Sequence, residues 1–356
     1  MKVLFIQGSM NAGGISKCND VLANEFNRLG HTVEFLSYMN DPSYRSHSFK
    51  FGKISAKCLL FMPFLLFCFF RKNKYDLVIS SSDLISFPVC IISKLFSFKL
   101  IVNSHTNVIK HLESKSSIYK LVYKLGGLTY RLSDAVGNVS VGASLASKEF
   151  FNLREVHYLP NGVTAWKGNE GEIEHKWFKS DVRLIIACGR LVSGKNYEAM
   201  IEAFALTFKK VKDIRLIILG DGPERDKLKH LTSTLSLSKY IDFIGEVDEP
   251  RIFMQHAEFL LHTSFYEGAP LVLLEALSTG VPIVTTNFKS GASEILDGGI
   301  YGEISDSFQA EDISRAMLKQ FDLTKRNSLF YINRASEYNE RNSANNYLRI
   351  YNEKNK

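Results

Sequence analysis

Two glutamates, Glu267 and Glu275, lie eight residues apart on either side of a Gly268–Pro270 turn. A proline suits the first turn of a helix, because the N–H that it lacks would have no acceptor there. The N–H groups of the next two residues, Leu271 and Val272, would then be free to bind a phosphate with help from the helix dipole. Glu275 would share a helix face with Leu271 and accept hydrogen bonds from ribose hydroxyls, and Glu267 would contact the group beyond the phosphate.

A second candidate site is the loop Cys188–Asn196, C-G-R-L-V-S-G-K-N, which follows an apolar segment. The loop carries Arg190 and Lys195, and Gly194 permits a tight turn between them. Two cations on one short loop suit a diphosphate, because arginine offers a bidentate fork and lysine a point charge. The alternative is a pair of ordinary surface charges, and in both cases we expect the two side chains to be exposed.

Two further motifs follow apolar segments, which places them at the ends of predicted strands. L-G-D-G-P, residues 219–223, either belongs to the chemistry at these strand ends or only marks a turn before a helix. F-I-G-E-V, residues 243–247, is a weak signal by itself. His262 lies inside a predicted strand before the Glu267 motif, and we assign it a structural role.

Apolar segments alternate with helical segments along both halves of the chain, which predicts parallel sheets with helices on both faces. In the first half, a helix after the first strand ends at Leu29, and the predicted strands are Val3–Gln7, Thr32–Ser37, Asp76–Ser80, Leu100–Asn103 and Ala135–Val141. In the second half, the predicted strands are Leu184–Cys188, Arg215–Leu219, Ile241–Ile244, Phe259–His262 and Ile283–Thr285. The predicted helices there are Tyr197–Lys209, Glu224–Leu235 and Leu271–Ser278.

This alternation predicts two doubly wound domains, residues 1–165 and 166–325, with ligand where the carboxyl ends of the strands face each other. The polar residues 168–175, G-N-E-G-E-I-E-H, are the predicted connection between the domains. A helical tail, residues 326–356, is expected to pack back on the first domain.

The composition is that of a globular protein, since 45% of the 356 residues are hydrophobic and 23% are charged. It excludes a disordered or fibrous chain, and the length implies about two domains. The formal charge of +7 lies in the first half, because residues 1–160 contain 19 Lys and Arg but 10 Asp and Glu. A basic first half suggests an anionic membrane surface or a phosphorylated lipid as partner. Nucleic acid is disfavoured, because the sequence has no zinc-finger, RNA-recognition or basic-zipper signature.

The five cysteines are scattered, odd in number and without a C-x-x-C pair: Cys18, Cys58, Cys68, Cys90 and Cys188. This pattern indicates buried free thiols in a reducing compartment rather than disulfides or a zinc site. The opening segment, M-K-V-L-F-I-Q-G-S-M, is too short an apolar run for a signal peptide and is interpreted as the first strand.

The run Cys58–Phe70 is apolar throughout, is interrupted by Pro63 and is flanked by Lys and Arg. As a helix it would extend roughly 20 Å, too short to cross a hydrocarbon core of roughly 30 Å. It is therefore either a buried packing helix or a patch that enters the membrane interface. In the second case Phe64, Phe67 and Phe70 would contact lipid.

A second amphipathic segment follows in the same half of the chain. Four apolar residues with helical spacing lie on one face of it: Ile118, Leu121, Val122 and Leu125. Lys120 and Lys124 lie off that face. We expect them in solvent, with membrane contact as the alternative.

Together these motifs resemble the retaining glycosyltransferases of family 4, which have the GT-B fold. The resemblance rests on the E-x7-E pair, the G-R-L…K-N loop, G-D-G-P, P-N-G-V at 160–163 and S-G-A-S-E-I-L at 290–296. In the first half, N-A-G-G-I-S at 11–16, G-H-T-V at 30–33 and His105 at a strand end follow the family's order. The resemblance covers most of the chain. It implies two Rossmann-like α/β domains facing each other across a cleft, with the acceptor bound by the first and the nucleotide sugar by the second.

The resemblance implies a role for each motif residue of the second half. Arg190 and Lys195 would neutralise the donor's diphosphate, including the charge that grows on the leaving group. Glu275 would bind the ribose, with the phosphate on the N–H groups of Leu271 and Val272. The transferred sugar would be contacted by Glu267 and by the turn residues Gly268, Ala269 and Pro270.

In the first half, Gly13 and Gly14 resemble a loop whose missing side chains let the donor phosphate and the acceptor approach. His105 resembles the family's sugar-contacting histidine, and a satisfied core histidine is the alternative. With Glu267, Arg190 and Lys195, His105 completes the catalytic set that the resemblance implies.

The chain contains no D-x-D sequence, and we expect neither a metal nor any other cofactor. Arginine, lysine and a helix N-terminus would then do what a divalent cation does elsewhere. Retention of configuration proceeds by double displacement or by attack on the same face. Because the family's counterpart of Glu267 binds hydroxyls, we favour same-face attack, in which a phosphate oxygen of the donor accepts the acceptor's proton.

The sequence says less about the substrates than about the site residues. S-G-A-S-E-I-L resembles a stretch of family members that use UDP-N-acetylhexosamines in surface-glycan assembly, so we expect a UDP-sugar donor, followed by a GDP-sugar. The basic first half favours a lipid-diphosphate-linked glycan as acceptor, in polysaccharide, capsule or O-antigen synthesis. The protein would then work in the cytoplasm, on the anionic inner face of the plasma membrane. A soluble sugar acceptor and a non-catalytic binding homologue are the alternatives.

Overall fold

The structure is a computed structural model that describes residues 1–8, 13–37, 46–48, 56–113, 115–168, 175–288, 290–323 and 327–353. For residues 46–48 and 56–60 it describes the backbone alone. The predicted connection at 168–175 lies outside the described residues apart from its two ends. Asn11 and Ala12 of the N-A-G-G-I-S motif also lie outside them.

Strands and helices alternate up to residue 162. The strands are β1 (Lys2–Gln7), β2 (Thr32–Ser37), β3 (Ser46–Ser48), β4 (Leu77–Ser80), β5 (Lys99–Ser104), β6 (Ala135–Asn138) and β7 (His157–Tyr158). The helices are α1 (Gly14–Arg28), α2 (Ala56–Lys72), α3 (Asp83–Ser93), α4 (Val108–Glu113), α5 (Ser117–Gly127) and α6 (Val141–Phe151). A 3-10 segment, Leu128–Leu132, follows α5.

The same alternation continues after residue 162. The strands are β8 (Arg183–Cys188), β9 (Ile214–Leu219), β10 (Ile241–Gly245), β11 (Phe259–His262), β12 (Ile283–Thr286) and β13 (Gly302–Ser305). The helices are α7 (Tyr197–Lys210), α8 (Arg225–Thr234), α9 (Arg251–Met254), α10 (Leu271–Ser278), α11 (Ala292–Ile295), α12 (Ala310–Asp322), α13 (Ser328–Glu337) and α14 (Glu340–Glu353).

The chain divides into two compact units, Met1–Gly162 with Asn339–Lys356, and Val163–Tyr338. The tail expected at 326–356 is therefore shared between them. In the second unit α13 packs against α10, whereas α14 packs against α1 in the first unit. There Arg341 of α14 forms an ion pair with Glu25 of α1 at 3.2 Å.

In the described part of the first unit, seven parallel strands form one sheet in the order β3-β2-β1-β4-β5-β6-β7. Alternate side chains of β1 enter separate cores, because successive strand residues point to opposite faces. Leu4 and Ile6 pack with the layer of α2, α3 and α5. Val3 and Phe5 pack with α1 and α14 on the other face. The predicted doubly wound α/β class is thus confirmed for this unit.

The second unit repeats the arrangement with six described strands in the order β10-β9-β8-β11-β12-β13, all parallel. Ile185 and Ala187 of β8 pack with α7 and α12, and Leu184 and Ile186 pack with α10 and α13 on the opposite face. The centre of the sheet, β8 beside β11, is therefore buried on both sides, as expected for parallel strands.

One strand ends earlier than the sequence predicts. The apolar segment 135–141 suggested a strand up to Val141, but β6 ends at Asn138 and Val141 begins α6. The side chain of Ser140 accepts a hydrogen bond from the N–H of Ala143 at 3.2 Å. Such an N-cap stabilises the helix start and terminates the strand.

The helix α2 buries the side that faces α3 and exposes the other. Its buried residues are Met62, Leu66, Phe69 and Phe70. The ring of Phe70 lies 4.6 Å from that of Phe98, and the ring of Phe67 lies 5.8 Å from that of Phe96. For Phe67 and Phe70 the structure therefore favours the buried alternative over lipid contact, because both pack against the core. Phe64 is 66% exposed.

Four cysteines have described side chains, and all four are free thiols. Cys18 and Cys90 are buried as predicted, and Cys188 is half-buried. Cys68 is exposed, because it lies on the outer face of α2, which corrects the expectation that all the thiols are buried. The side chain of Cys58 lies outside the described residues. None of the described helices is long and apolar enough to cross a bilayer.

Candidate active site

The motifs of the second unit meet at the carboxyl edge of its sheet. The adjacent parallel strands β8 and β11 end at Cys188 and His262, so the loops that follow them lie side by side. The N–H of Phe265 donates to the carbonyl of Gly194 at 3.0 Å. The hydroxyl of Thr263 donates to the carbonyl of Lys195 at 2.9 Å. These bonds fix the two loops to each other and bring their side chains together.

Lys195 and Glu267, which are 72 residues apart in sequence, are in direct contact. The Lys195 ammonium donates a hydrogen bond to Oε1 of Glu267, and the two side chains form an ion pair. The hydroxyl of Ser264 donates to the same oxygen at 2.7 Å. The hydroxyl of Ser290 donates to the backbone carbonyl of Glu267 at 2.7 Å. The carboxylate is therefore held by two donors, and the backbone of Glu267 is held by a third.

His262 is the third charged or titratable group at this carboxylate. Its Nε2 lies 3.3 Å from Oε1 of Glu267, and its Nδ1 lies 3.2 Å from the hydroxyl of Thr285. Burial lowers the pKa of His262, which favours the neutral imidazole. The hydrogen bond between His262 and the Glu267 carboxylate needs a hydrogen on Nε2, because a carboxylate only accepts. His262 is thus a positioning residue, although the sequence analysis assigned it a structural role alone.

The environment of Glu267 keeps it ionised. Burial alone would raise its pKa, but the hydrogen bond from His262 and the charge of Lys195 outweigh this and lower the pKa to about 2. Glu267 is therefore an acceptor of hydrogen bonds and not an acid near neutral pH. Such a carboxylate suits hydroxyl groups of a ligand.

The two cations of the 188–196 loop differ in exposure. Arg190 is exposed, as expected. The side chain of Lys195 is only 27% exposed because it lies against Glu267, so the expectation of an exposed lysine is wrong. A lysine ammonium has three donors, and Lys195 therefore retains hydrogen-bonding capacity beyond this contact.

The G-D-G-P motif packs beneath the 188–196 loop. The N–H of Leu191 donates to the carbonyl of Asp221 at 2.9 Å. A Cβ atom at Gly222 would lie 2.4 Å from the carbonyl oxygen of Leu191, closer than such atoms approach. Glycine at this position therefore permits the backbone contact that supports the arginine-bearing loop.

The helix α10 begins where the sequence predicts. Pro270 precedes it in an extended conformation, with φ −69° and ψ 119°. Leu271 and Val272 are its first residues and are half-buried, and their N–H groups have no acceptor within the helix. Glu275 is half-buried on the same helix, and its charge contributes to the raised pKa of Arg251, where the hydrogen bond to Glu249 is the largest cause.

The turn before α10 is braced by the S-G-A-S-E-I-L segment. Gly291 has φ +89°, a conformation that favours glycine. A Cβ atom there would lie 2.9 Å from the carbonyl oxygen of Gly268 and 3.1 Å from Cα of Ala269. This segment therefore sets the position of the turn.

The first-unit candidates lie at the carboxyl edge of the other sheet, after β1 and β5. Gly13 and Gly14 are exposed at the start of α1, and a Cβ atom at either would meet no heavy atom within 4 Å. His105 follows β5 directly. Asn103 brings its Nδ2 within 3.3 Å of Nε2 of His105 and donates to the hydroxyl of Tyr347 in α14 at 2.5 Å. The C-terminal helix thus helps to hold the residue beside His105.

The pKa of His105 predicts a measurable pH dependence of stability. Burial lowers its pKa from the usual 6.5 to about 4. As the pH falls below 6.5, the unfolded chain binds a proton that the folded chain refuses until about pH 4, so stability decreases across this window. The contribution is about 3 kcal/mol. We expect the wild type to lose about this much more unfolding free energy between pH 7 and pH 4 than His105→Gln, as measured by urea denaturation. An equal loss of unfolding free energy in the two proteins would contradict the half-buried, neutral imidazole.

The comparisons with known proteins agree with this geometry. Residues 169–335 match the model of the family described as glycosyl transferases group 1. An uncharacterized glycosyltransferase of Haemophilus influenzae is 25% identical over 339 residues, which cover 92% of this chain and 91% of that protein. A relative from Campylobacter jejuni is 25% identical over 312 residues, covering 83% of this chain and 82% of that protein. It is named GalNAc-alpha-(1->4)-GalNAc-alpha-(1->3)-diNAcBac-PP-undecaprenol alpha-1,4-N-acetyl-D-galactosaminyltransferase.

A solved structure supports the fold over the full length. The crystal structure of Alr3699/HepE from Anabaena in complex with UDP and glucose has a TM-score of 0.80, with 16% identity. The match covers 99% of this chain and 100% of that chain. At this identity the likeness concerns the fold alone. The chain therefore has the GT-B fold, and its residues 169–335 match the glycosyl transferases group 1 family.

Proposed function

We propose that this protein is a retaining glycosyltransferase of family 4 and that it transfers a hexose or N-acetylhexosamine from a UDP-sugar to a lipid-diphosphate-linked glycan. The process would be the synthesis of a polysaccharide, capsule or O-antigen. The observation that carries the proposal is the contact between Lys195 and Glu267, which lie on two neighbouring loops, the second of which leads into α10. It brings a phosphate-binding cation and a hydroxyl-binding carboxylate to one place.

The names of the relatives support the choice of substrates. The Campylobacter relative is named for an acceptor that is a glycan on undecaprenol diphosphate. The HepE structure contains UDP and glucose. The basic first half of the chain adds to this support, because an acceptor with a lipid diphosphate is anionic.

In the proposed mechanism, Arg190, Lys195 and the N–H groups of Leu271 and Val272 bind the donor diphosphate. Negative charge grows on that diphosphate as the bond to the sugar breaks, so these fixed donors stabilise the transition state more than the bound donor. Glu267 accepts hydrogen bonds from the hydroxyls of the transferred sugar. Lys195 donates to Glu267 and would donate to the diphosphate at the same time. It would thus couple the position of the sugar to that of the leaving group.

The sugar keeps its configuration through attack on the face that the diphosphate leaves. The acceptor hydroxyl forms the new bond to the anomeric carbon as the bond to the diphosphate oxygen breaks, and its proton passes to that diphosphate. Double displacement would need a carboxylate nucleophile, and Glu267 is held by Lys195, Ser264 and His262 as a hydrogen-bond acceptor. Glu275 would bind the ribose hydroxyls.

The test is transfer of radiolabel from a panel of UDP-sugars to an extract of bacterial lipid-linked glycans, followed by partition into organic solvent. We expect label from one UDP-sugar in the organic phase. Label that moves only to a water-soluble product would indicate the soluble-acceptor alternative. Binding of UDP-sugars without turnover under any condition would indicate a non-catalytic homologue.

We also expect activity to persist in excess EDTA. In the parts of the chain that the structure describes, no group of three His, Cys, Asp or Glu side chains could hold a metal ion. Cations of the protein and a helix N-terminus would carry the charge stabilisation instead. The measurement is initial rate with and without EDTA. Complete loss of activity that manganese restores would show that the mechanism depends on a metal.

A further inference from the structure

We propose that the outer face of α5 is a docking surface for an anionic lipid bilayer. This inference rests on the proposed function and deepens it, because it names how the enzyme reaches a lipid-linked acceptor. The surface differs from the Cys58–Phe70 run, whose inner side is packed in the core. Three properties of α5 support this docking surface: its exposed side chains, its packing and its charge.

The first observation is a continuous stripe of exposed apolar side chains. Residues of α5 and of the turn after it recur at helical spacing and are between 42% and 77% exposed: Ile118, Leu121, Val122, Leu125 and Leu128. A soluble surface normally carries such residues singly. Five on one face of one helix indicate a surface that another apolar phase covers.

The second observation is that α5 already has a separate core face. Tyr123 and Gly127 are buried, and Tyr119 packs against the same core. A Cβ atom at Gly126 would lie 2.2 Å from the ring of Phe87, and one at Gly127 would lie 1.9 Å from the ring of Phe151. The glycines thus bring the helix close to α3 and α6. The apolar stripe is on the other side, and none of its five residues belongs to this core.

The third observation is the charge beside the stripe. Lys120 and Lys124 are exposed along one border of it, where a basic flank would lie at the level of lipid headgroups. Between residues 84 and 132 the sequence has seven Lys and Arg, and its one acidic residue is Glu113. That carboxylate is paired with Lys110 at 2.6 Å. The face is therefore apolar with uncompensated positive charge at its edge.

The neighbouring helices extend the surface. In the described residues α3 packs between α2 and α5, since it contacts both. Leu95, directly after α3, is 63% exposed, and Phe64 of α2 is 66% exposed. Lys94 is exposed beside Leu95. Apolar side chains with basic neighbours thus continue across the outer side of this helix layer.

A bilayer fits these observations better than a second copy of the chain. In a two-fold contact through α5, the same lysines of both copies would approach one another and no acid of the stripe would neutralise them. Anionic headgroups supply that neutralisation, and the acyl region accepts the apolar side chains. The occupant that we infer is therefore the surface of an anionic membrane.

The test is flotation of the full-length protein with vesicles of equal phosphatidylcholine and phosphatidylglycerol, and with vesicles of phosphatidylcholine alone. Leu121→Ser with Leu125→Ser should weaken binding to the mixed vesicles at least tenfold. Lys120→Gln with Lys124→Gln should weaken it about tenfold at low salt and reduce its dependence on salt. The matched control is Leu323→Ser with Leu329→Ser, which changes two exposed leucines of the second unit and should float like the wild type.

Two further measurements separate the outcomes. Sedimentation analysis without lipid should show the same mass for wild type and the Leu121/Leu125 variant. A dimer that this variant abolishes would overturn the proposal in favour of a contact between copies. UDP-sugar turnover with a detergent-dispersed acceptor should be unchanged in both α5 variants. If both α5 variants float like the wild type and turn over normally, the docking surface alone is refuted. If no protein shows turnover, including the wild type, the proposed function alone is refuted.

Discussion

Replacing Lys195 by alanine will lower kcat/KM for the UDP-sugar at least a hundredfold, or about 2.7 kcal/mol of transition-state stabilisation. The loss has two causes. The leaving diphosphate loses a cation, and Glu267 loses the partner that orients it. Replacing Arg190 by alanine removes the first cause alone and should also cost at least about a hundredfold in kcat/KM. The measurement is steady-state kinetics for each variant.

The control for Lys195 must separate catalysis from folding. Lys195→Ala strands a carboxylate that is 17% exposed, so we expect a lower melting temperature. Adding Glu267→Gln removes the stranded charge and should restore the melting temperature without restoring activity. Lys227→Ala breaks an exposed ion pair with Glu198 in the same unit and should leave both unchanged. Near-normal turnover of Lys195→Ala would show that the lysine does not bind the diphosphate.

Replacing Phe70 by alanine will destabilise the first unit by about 3 to 5 kcal/mol. Its side chain is 3% exposed and contacts the rings of Phe69, Tyr75 and Phe98. The cavity left by the ring would be lined by these aromatics, which cannot collapse fully into it. Urea denaturation measures the effect.

The matched control is Phe64→Ala, six residues earlier on the same helix. Phe64 is 66% exposed, so its removal should change the free energy of unfolding by no more than about 0.5 kcal/mol. Equal effects of the two substitutions would contradict the orientation of α2.

Much of the fold followed from local pattern. Strand β11 and helix α10 have the predicted bounds, Phe259–His262 and Leu271–Ser278, because a buried apolar run and a proline at a helix start are strong signals. The strands β3, β7 and β13 were not predicted. They have two to four residues each, and such short segments carry no readable alternation.

The orientation of α5 shows what periodicity omits. The spacing of Ile118, Leu121, Val122 and Leu125 indicates an apolar face, and the helix forms there. The face that packs in the core is instead the one with Tyr123, Gly126 and Gly127. Glycines allow close helix packing but do not add to the hydrophobic periodicity. The periodicity alone therefore does not distinguish the inner face of the helix from the outer face.

The sequence predicts the residues of the candidate site but not the contacts between them. Arg190, Lys195, Glu267 and Glu275 follow from motif and charge. The ion pair between Lys195 and Glu267 depends on β8 lying beside β11, which the order of strands in the sequence does not reveal. His262 was missed as a positioning residue because its strand position indicates burial, and nothing in the spacing shows that its ring reaches the loop that follows.

The most direct test of the central claim, a diphosphate site at Arg190 and Lys195, is calorimetric titration with UDP and with uridine. The site predicts that the wild type binds UDP at least about a hundredfold more tightly than uridine, because two cations and a helix N-terminus contact the diphosphate. In Arg190→Ala with Lys195→Ala most of that difference should disappear while uridine binding is unchanged. Equal affinity of the wild type for UDP and uridine, or an unchanged preference in the double variant, would contradict the claim.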